Sequence, residues 1–230
     1  MSHRAEHGPG QTAPGNQATT LADLDARARS WWAEDPGMLR RERDAMSIIA
    51  PDLTWTADGA GSWAGLAPAW PFGRPAPPGL DELLAGHRLR VLVTYGHAFP
   101  MTAPAVWAVD PEPSINQRTQ HAWHVNGDGS LCLLEAATAW TGREAAAELV
   151  VKASGWFIEY LLMRCGLITG MTGAGLAADL SMDAVITRAG NSQPDPSGTV
   201  PDTDDQPVPA SLAGTAGHGP GVAESARTTA

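Results

Sequence analysis

HRLRVLVTYGHAFP, residues 87–100, is the stretch on which the reading of the fold turns. Leu89, Val91, Val93 and Tyr95 alternate with Arg88, Arg90, Leu92 and Thr94, the period of two expected of a strand with one buried face. Gly96 and Pro100 then close it in a loop. Just upstream, residues 71–79 (PFGRPAPPG) are too rich in proline for regular structure. Before them, Leu53 and Trp55, then Trp63, Gly65 and Ala67, predict two short strands around the turn Asp58-Gly59-Ala60-Gly61. Downstream, residues 105–109 (AVWAV) predict another strand, after Pro100 and Pro104.

Further out in both directions the period lengthens to that of a helix. Residues 21–49 carry an apolar stripe through Leu21, Leu24, Ala28, Trp31 and Trp32, interrupted at Asp35-Pro36-Gly37 and resumed from Met38. A break at Pro36 divides this into two helices or kinks one. A long helix is predicted to begin at Thr141, where Glu144 three positions on completes a capping box. Glu144, Glu148, Lys152, Gly155 and Glu159 then form a polar stripe, with Glu148 and Lys152 at pairing distance. The remaining surface, from Leu149 to Met163, is broadly apolar, so this helix packs on more than one neighbour. Gly166 is its natural stop. The order of elements predicts an α+β domain: an N-terminal helix, an antiparallel sheet of about four strands, an irregular loop and a long C-terminal helix.

Composition sets the boundaries. Residues 1–19 have no large aliphatic side chain after Met1, and residues 191–230 are dominated by Pro, Gly, Ser, Thr and Asp. Neither can repay the entropy of ordering, so both are expected to be disordered tails around one domain, residues 20–190. A net charge of -10 argues against nucleic-acid partners. No signal peptide and no uninterrupted apolar span is visible, so no membrane association and a cytoplasmic location are expected. Two cysteines, Cys132 and Cys165, make neither a disulfide framework nor a four-cysteine metal site. His121, His124 and Cys132 supply three metal-ligating types, one short of a closed zinc site and at unusual spacing, so no metal is expected.

The chemistry lies between the last strand and the long helix, in HAWHVNGDGSLCLL, residues 121–134, with Trp140 eight residues beyond Cys132. A cysteine flanked by leucines is most often a small core residue, and that is the plain alternative here. The segment nevertheless resembles the active-site stretch of the ubiquitin-conjugating enzymes. In that family a strand runs into a Tyr/Phe-Pro loop with a second Pro nearby, followed by a His-Pro-Asn loop, Gly-x-Ile/Leu-Cys-Leu, and a Trp eight residues on. This chain offers Phe99-Pro100, Pro104, Gly129-Ser130-Leu131-Cys132-Leu133 and Trp140. The resemblance covers residues 53–166.

The likeness departs from the family at one place. The His-Pro-Asn positions hold Ala122, Trp123 and His124, and Asn126 stands two residues later. In this it looks more like bacterial relatives found in ubiquitin-like conjugation and antiviral defence operons. What the resemblance implies is a transferase that carries a ubiquitin-like modifier as a thioester on Cys132 and passes it to an amine. An adenylating activating enzyme and an acceptor protein would be its partners, and it would need no cofactor. The alternative is a non-catalytic module of the same fold that binds a modifier or partner. The resemblance also implies a donor for the tetrahedral oxyanion. His124 stands at the family's offset and is preferred, Asn126 has the matching amide, and the turn Gly127-Asp128-Gly129 offers backbone N–H groups. Pro100, Pro104 and Trp140 are read as structural supports, and Cys165 as inert.

A chain trimmed to residues 20–190 is expected to melt within a few degrees of the whole protein. A large drop in a calorimetric scan would show that a tail docks on the domain.

Overall fold

The computed structural model describes residues 30–134, 140–173, 175–177 and 179–191. All of them lie in one compact unit, Met1–Pro194. The expectations for residues 1–19 and for residues beyond 191 fall outside the described part, as does the start of the first predicted helix.

That helix is divided where proline demands it. Trp31–Glu34 forms a single turn, α1, and Pro36–Ile49 forms α2. Pro36 occupies the first turn, where its missing N–H is no loss, and the Asp35 carboxylate accepts from the Met38 N–H at 2.8 Å. The chain then enters a meander, β1 (Leu53–Thr56), β2 (Ser62–Leu66), β3 (Arg90–Thr94) and β4 (Ala105–Asp110), each strand antiparallel to its neighbours in the order β1-β2-β3-β4. Trp63, Val93 and Val106 stand in register across one row of the inner face, Gly65, Val91 and Ala108 across the next. Leu89, Val91, Val93 and Tyr95 are all buried, as the alternation in residues 87–95 requires.

The long helix, α5, runs from Ala146 to Arg164 and packs against α2 and β4. It starts five residues later than its capping box predicts. Thr141 and Glu144 do bond, the Thr141 hydroxyl donating at 2.7 Å and its N–H at 3.0 Å to the carboxylate. Gly142 between them is in the left-handed region at φ 81, however, so the pair closes a free-standing turn rather than a helix end. The end itself is capped from far away in sequence. The Ala146 N–H donates to Glu42 Oε2 at 3.0 Å, and the same oxygen accepts from the Tyr95 hydroxyl at 2.6 Å. Trp63 Nε1–H donates to the Tyr95 oxygen at 3.1 Å. One buried carboxylate on α2 thus joins the sheet to the positive end of α5.

The polar stripe on α5 is solvated only at its start, where Glu148 is exposed. Gly155 and Glu159 are buried, and Glu159 accepts from the N–H and hydroxyl of Thr172 at 2.7 and 2.8 Å. Lys152 donates to the Leu133 carbonyl at 3.2 Å, a different partner from the Glu148 expected by spacing. At the far end Gly166, at φ 68, closes a Schellman motif: its N–H meets Met163 O and the Leu167 N–H meets Leu162 O, both at 2.9 Å.

Three short helices and a longer one complete the unit: α3 (Leu80–Leu84), α4 (Ile115–Arg118), a 3-10 turn (His121–Trp123) and α6 (Met182–Asn191). Helix α6 packs on α3 where Gly79 and Gly190 meet backbone to backbone, and a Cβ on Gly190 would lie 2.2 Å from the Gly79 Cα. Arg74, from the proline-rich loop, pairs with Asp183 of α6 at 3.0 Å and lies over the Trp70 and Phe72 rings.

Burial pushes the Glu42 carboxyl above its ordinary value of 4.5, against the pull of the Tyr95 hydroxyl and the Ala146 N–H. The folded state then keeps this proton to a higher pH than the unfolded chain. The group's contribution to stability is full below about 4.5 and is lost as pH rises through the raised folded value. Glu42→Gln cannot titrate, so its stability relative to wild type should improve between pH 4 and pH 8 in denaturant melts. Glu42→Ala should lose about 2–4 kcal/mol, since it leaves the Tyr95 hydroxyl and the Ala146 N–H unpaired. A Gln-to-wild-type difference that stays constant with pH would refute the assignment.

Candidate active site

Residues 124–132 fold into a hairpin on the outer edge of β4. Val125 and Leu131 bridge across it and are buried, and the Leu131 N–H donates to Val106 O at 2.7 Å, fastening the hairpin to the sheet. At its base the Cys132 N–H donates to the His124 carbonyl at 2.8 Å. At its tip the Asn126 N–H reaches Ser130 O and the Gly129 N–H reaches Asn126 O, both at 2.8 Å. Gly129 sits at φ 96, and a Cβ there would lie 3.1 Å from the Arg118 guanidinium carbon. Arg118 is itself held by the Pro113 carbonyl at 3.1 Å and by Glu112 at 2.7 Å.

The alternation along this hairpin decides what faces outward. Leu131 goes in and Cys132 is exposed, so this cysteine is not a core residue. Beside it lies a groove of about 330 Å³, lined by Cys132, Asn126, Pro104, Val106, Leu133 and Leu149 among others. It is largely apolar, with Asn126 and Ser130 supplying side-chain polarity. The segment after Cys132 is held by the Lys152 ammonium on the Leu133 carbonyl.

The base of the hairpin is braced from behind. Trp156 Nε1–H donates to Trp123 O at 2.8 Å, Trp156 and Tyr160 stack at 5.1 Å, and Trp123 packs on Tyr160 at 5.6 Å. The chain returning after α5 adds the Met171 N–H to Ala122 O at 3.1 Å. Burial raises the Glu159 carboxyl above its usual range, against the Thr172 N–H and hydroxyl that fasten it to the returning chain.

The three candidate oxyanion donors separate in this geometry. His124 takes a left-handed conformation at φ 49, lies edge-on to His121 at 5.5 Å, and is not among the groove-lining residues. Its carbonyl accepts from the Cys132 N–H. Within the Gly127-Asp128-Gly129 turn the Gly129 N–H already donates, to the Asn126 carbonyl, as do the N–H groups of Asn126, Ser130, Leu131 and Cys132 on either side. Asn126, whose side-chain amide donates to the Ser130 hydroxyl at 3.0 Å, lines the groove together with Cys132.

The supporting residues fall into two groups. Pro104 lines the groove. Pro100 accepts from Trp140 Nε1–H at 2.7 Å and backs a separate small cavity of about 70 Å³ with Arg143 and Glu144. Cys165 is also exposed, at the end of α5. Sequence reasoning did not single out Ser130 or Arg118. Asp128 and Ser130, two residues apart, carry the signature of a side chain that bonds backbone two positions on, and Ser114-x-x-Gln117 signals the cap of the helix that bears Arg118.

Among the described residues, no group of three His, Cys, Asp or Glu side chains is placed to hold a metal, and no helix is long and apolar enough to cross a membrane. Comparison with family models, with curated proteins and with solved structures returns no match.

Gly129→Ala should test the turn. It combines an unfavourable φ with contact against Arg118, and should cost about 1–2 kcal/mol. Chemical denaturation reads the loss. Unchanged stability would mean that Arg118 swings clear of the turn.

Proposed function

We propose that this chain is a ubiquitin-conjugating-type transferase with a related α+β fold, carrying a ubiquitin-like modifier as a thioester on Cys132. The observation that carries the reading is the exposed Cys132 on a braced hairpin, opening on a groove that it shares with Asn126. The Gly-Ser-Leu-Cys-Leu stretch with Trp140 eight residues on supports it from the sequence.

The chemistry needs little besides this arrangement. The Cys132 thiolate attacks the carbonyl of an incoming thioester, the tetrahedral oxyanion collapses, and the donor's thiolate leaves. An amine of the acceptor then attacks the new thioester, loses a proton to solvent or a base, and expels the Cys132 thiolate. Energy enters upstream, at an adenylating enzyme. Both steps pass through an oxyanion, where one well-placed donor contributes about 3 kcal/mol. We assign that role to the Asn126 amide, in preference to the His124 ring. The largely apolar groove suits an extended peptide tail bearing the reacting carbonyl, and bacterial conjugation or antiviral defence is the setting we favour.

Incubation with the cognate activating enzyme, modifier and ATP should give a thiol-sensitive adduct on a non-reducing gel. Cys132→Ala should abolish it and Cys165→Ala should keep it; the reverse pattern would overturn the site. In single-turnover discharge to free lysine, Asn126→Ala should be slowed about ten- to a thousandfold. If His124→Ala carries that defect instead, the donor is misassigned. A protein that binds the modifier tightly yet never forms the adduct would be a non-catalytic module.

A further inference from the structure

The tip of the hairpin contains a hydrogen-bonded relay that ends at the groove. Asp128 Oδ1 lies 2.7 Å from the Ser130 hydroxyl and 2.9 Å from the Ser130 N–H. The Ser130 hydroxyl in turn lies 3.0 Å from Asn126 Nδ2. A hydroxyl has one proton to give, and an ionised carboxylate can only accept. Ser130 therefore donates to Asp128 and must accept from Asn126, which only the amide nitrogen can satisfy. That fixes the amide: one N–H goes to Ser130, which leaves the second N–H of the same nitrogen outside the relay, on a residue that lines the groove. Ser130 is buried, so water does not compete freely for its hydroxyl.

We infer that Asp128 and Ser130 are positioning residues that hold the Asn126 amide in a single orientation beside Cys132; this rests on the thioester reading above. Without the carboxylate, the Ser130 proton is free to turn toward Asn126, and the amide can rotate by half a turn. A developing oxyanion would then meet a carbonyl lone pair where it needs an N–H. The Ser130 hydroxyl and N–H hold the Asp128 carboxyl below its ordinary range, with Arg118 adding a smaller pull, so the relay stays in its ionised form at neutral pH. Arg118, seated against Gly129, closes the turn from outside.

The test uses the full chain and a small probe, a dipeptide thioester of mercaptoethanesulfonate, with free lysine as acceptor. Thiol exchange moves the dipeptidyl group to Cys132 and releases mercaptoethanesulfonate; lysine then takes the acyl group as an amide and releases the Cys132 thiolate. Mass spectrometry follows both steps, and the Asn126 side-chain amide is followed by NMR.

Asp128→Ala should slow both steps about ten- to a hundredfold, as expected of a displaced donor. Asp128→Asn, which keeps an oxygen for Ser130, should stay within about threefold of wild type. Asp128→Ala should add nothing to Asn126→Ala, since the two act through one group. The Asn126 amide protons should be distinct and slow to exchange in wild type and averaged in Asp128→Ala. Ser130→Ala, which leaves the backbone bond to Asp128, should match Asp128→Ala and serves in its place if that variant unfolds. Normal rates in both alanine variants, or losses additive with Asn126→Ala, would overturn the relay and leave the Cys132 reading intact. A wild-type Cys132 that never takes the acyl group, with the amide fixed in NMR, would overturn the thioester reading and with it the relay's catalytic role.

Discussion

The buried carboxylate of Glu42 is the joint on which this structure depends. Helix α5 begins at Ala146 without a side-chain cap of its own, and the first turn of any helix presents backbone N–H groups that must find acceptors. Glu42 supplies one, and its partner on the other side is Tyr95, at the end of the strand that organises the sheet. Placing a carboxyl in this interior is unfavourable in itself, and it is tolerated because donors from two elements converge on one oxygen. The reward is geometric. Helix α2, strand β3 and helix α5 meet at one point, so the direction in which α5 crosses the core is set where it starts.

Around that joint the aromatic side chains form a continuous layer. Trp31 packs on Tyr95 at 4.9 Å and on Phe99 at 4.6 Å, Trp55 on Trp63 at 5.2 Å, and Phe99 on Trp140 at 6.2 Å. Rings at these tilted separations bury area and fix relative angles together. The layer reaches from the single turn of α1 to Trp140, just ahead of α5.

Much of the fold was legible because periodicity and burial coincide in it. The alternation in residues 87–95, the break at Pro36 and the stop at Gly166 each follow from local chemistry that tertiary structure does not override. What sequence misplaced were features whose partners lie far away in the chain. Thr141 and Glu144 look like a helix cap, but Gly142 turns left-handed and Glu42 caps the helix from a distance. Glu159 looks like part of a solvated stripe until Thr172 returns to cover it. Helices α3 and α6 are held largely by contacts such as Gly79 on Gly190 and Arg74 on Asp183, which no local window contains. At the site, the exposure of Cys132 and its groove came only from the pairing of Val125 with Leu131.

The brace behind the hairpin has a consequence for how the molecule is made. Synthesis runs from the N-terminus, so the four strands are complete once Asp110 has emerged. The turn that leads into Cys132 is held by Trp156 and by the Met171 N–H, residues made well after the cysteine itself. Until the chain has passed Thr172, Glu159 has no partner and α5 has a bare charged face. A nascent chain that has not yet reached this point has an unfinished cysteine loop, and the last segment to arrive completes it. Nucleophile geometry is in this way tied to completion of the domain, and a chain broken off after Gly166 would carry Cys132 on a hairpin that lacks part of its support.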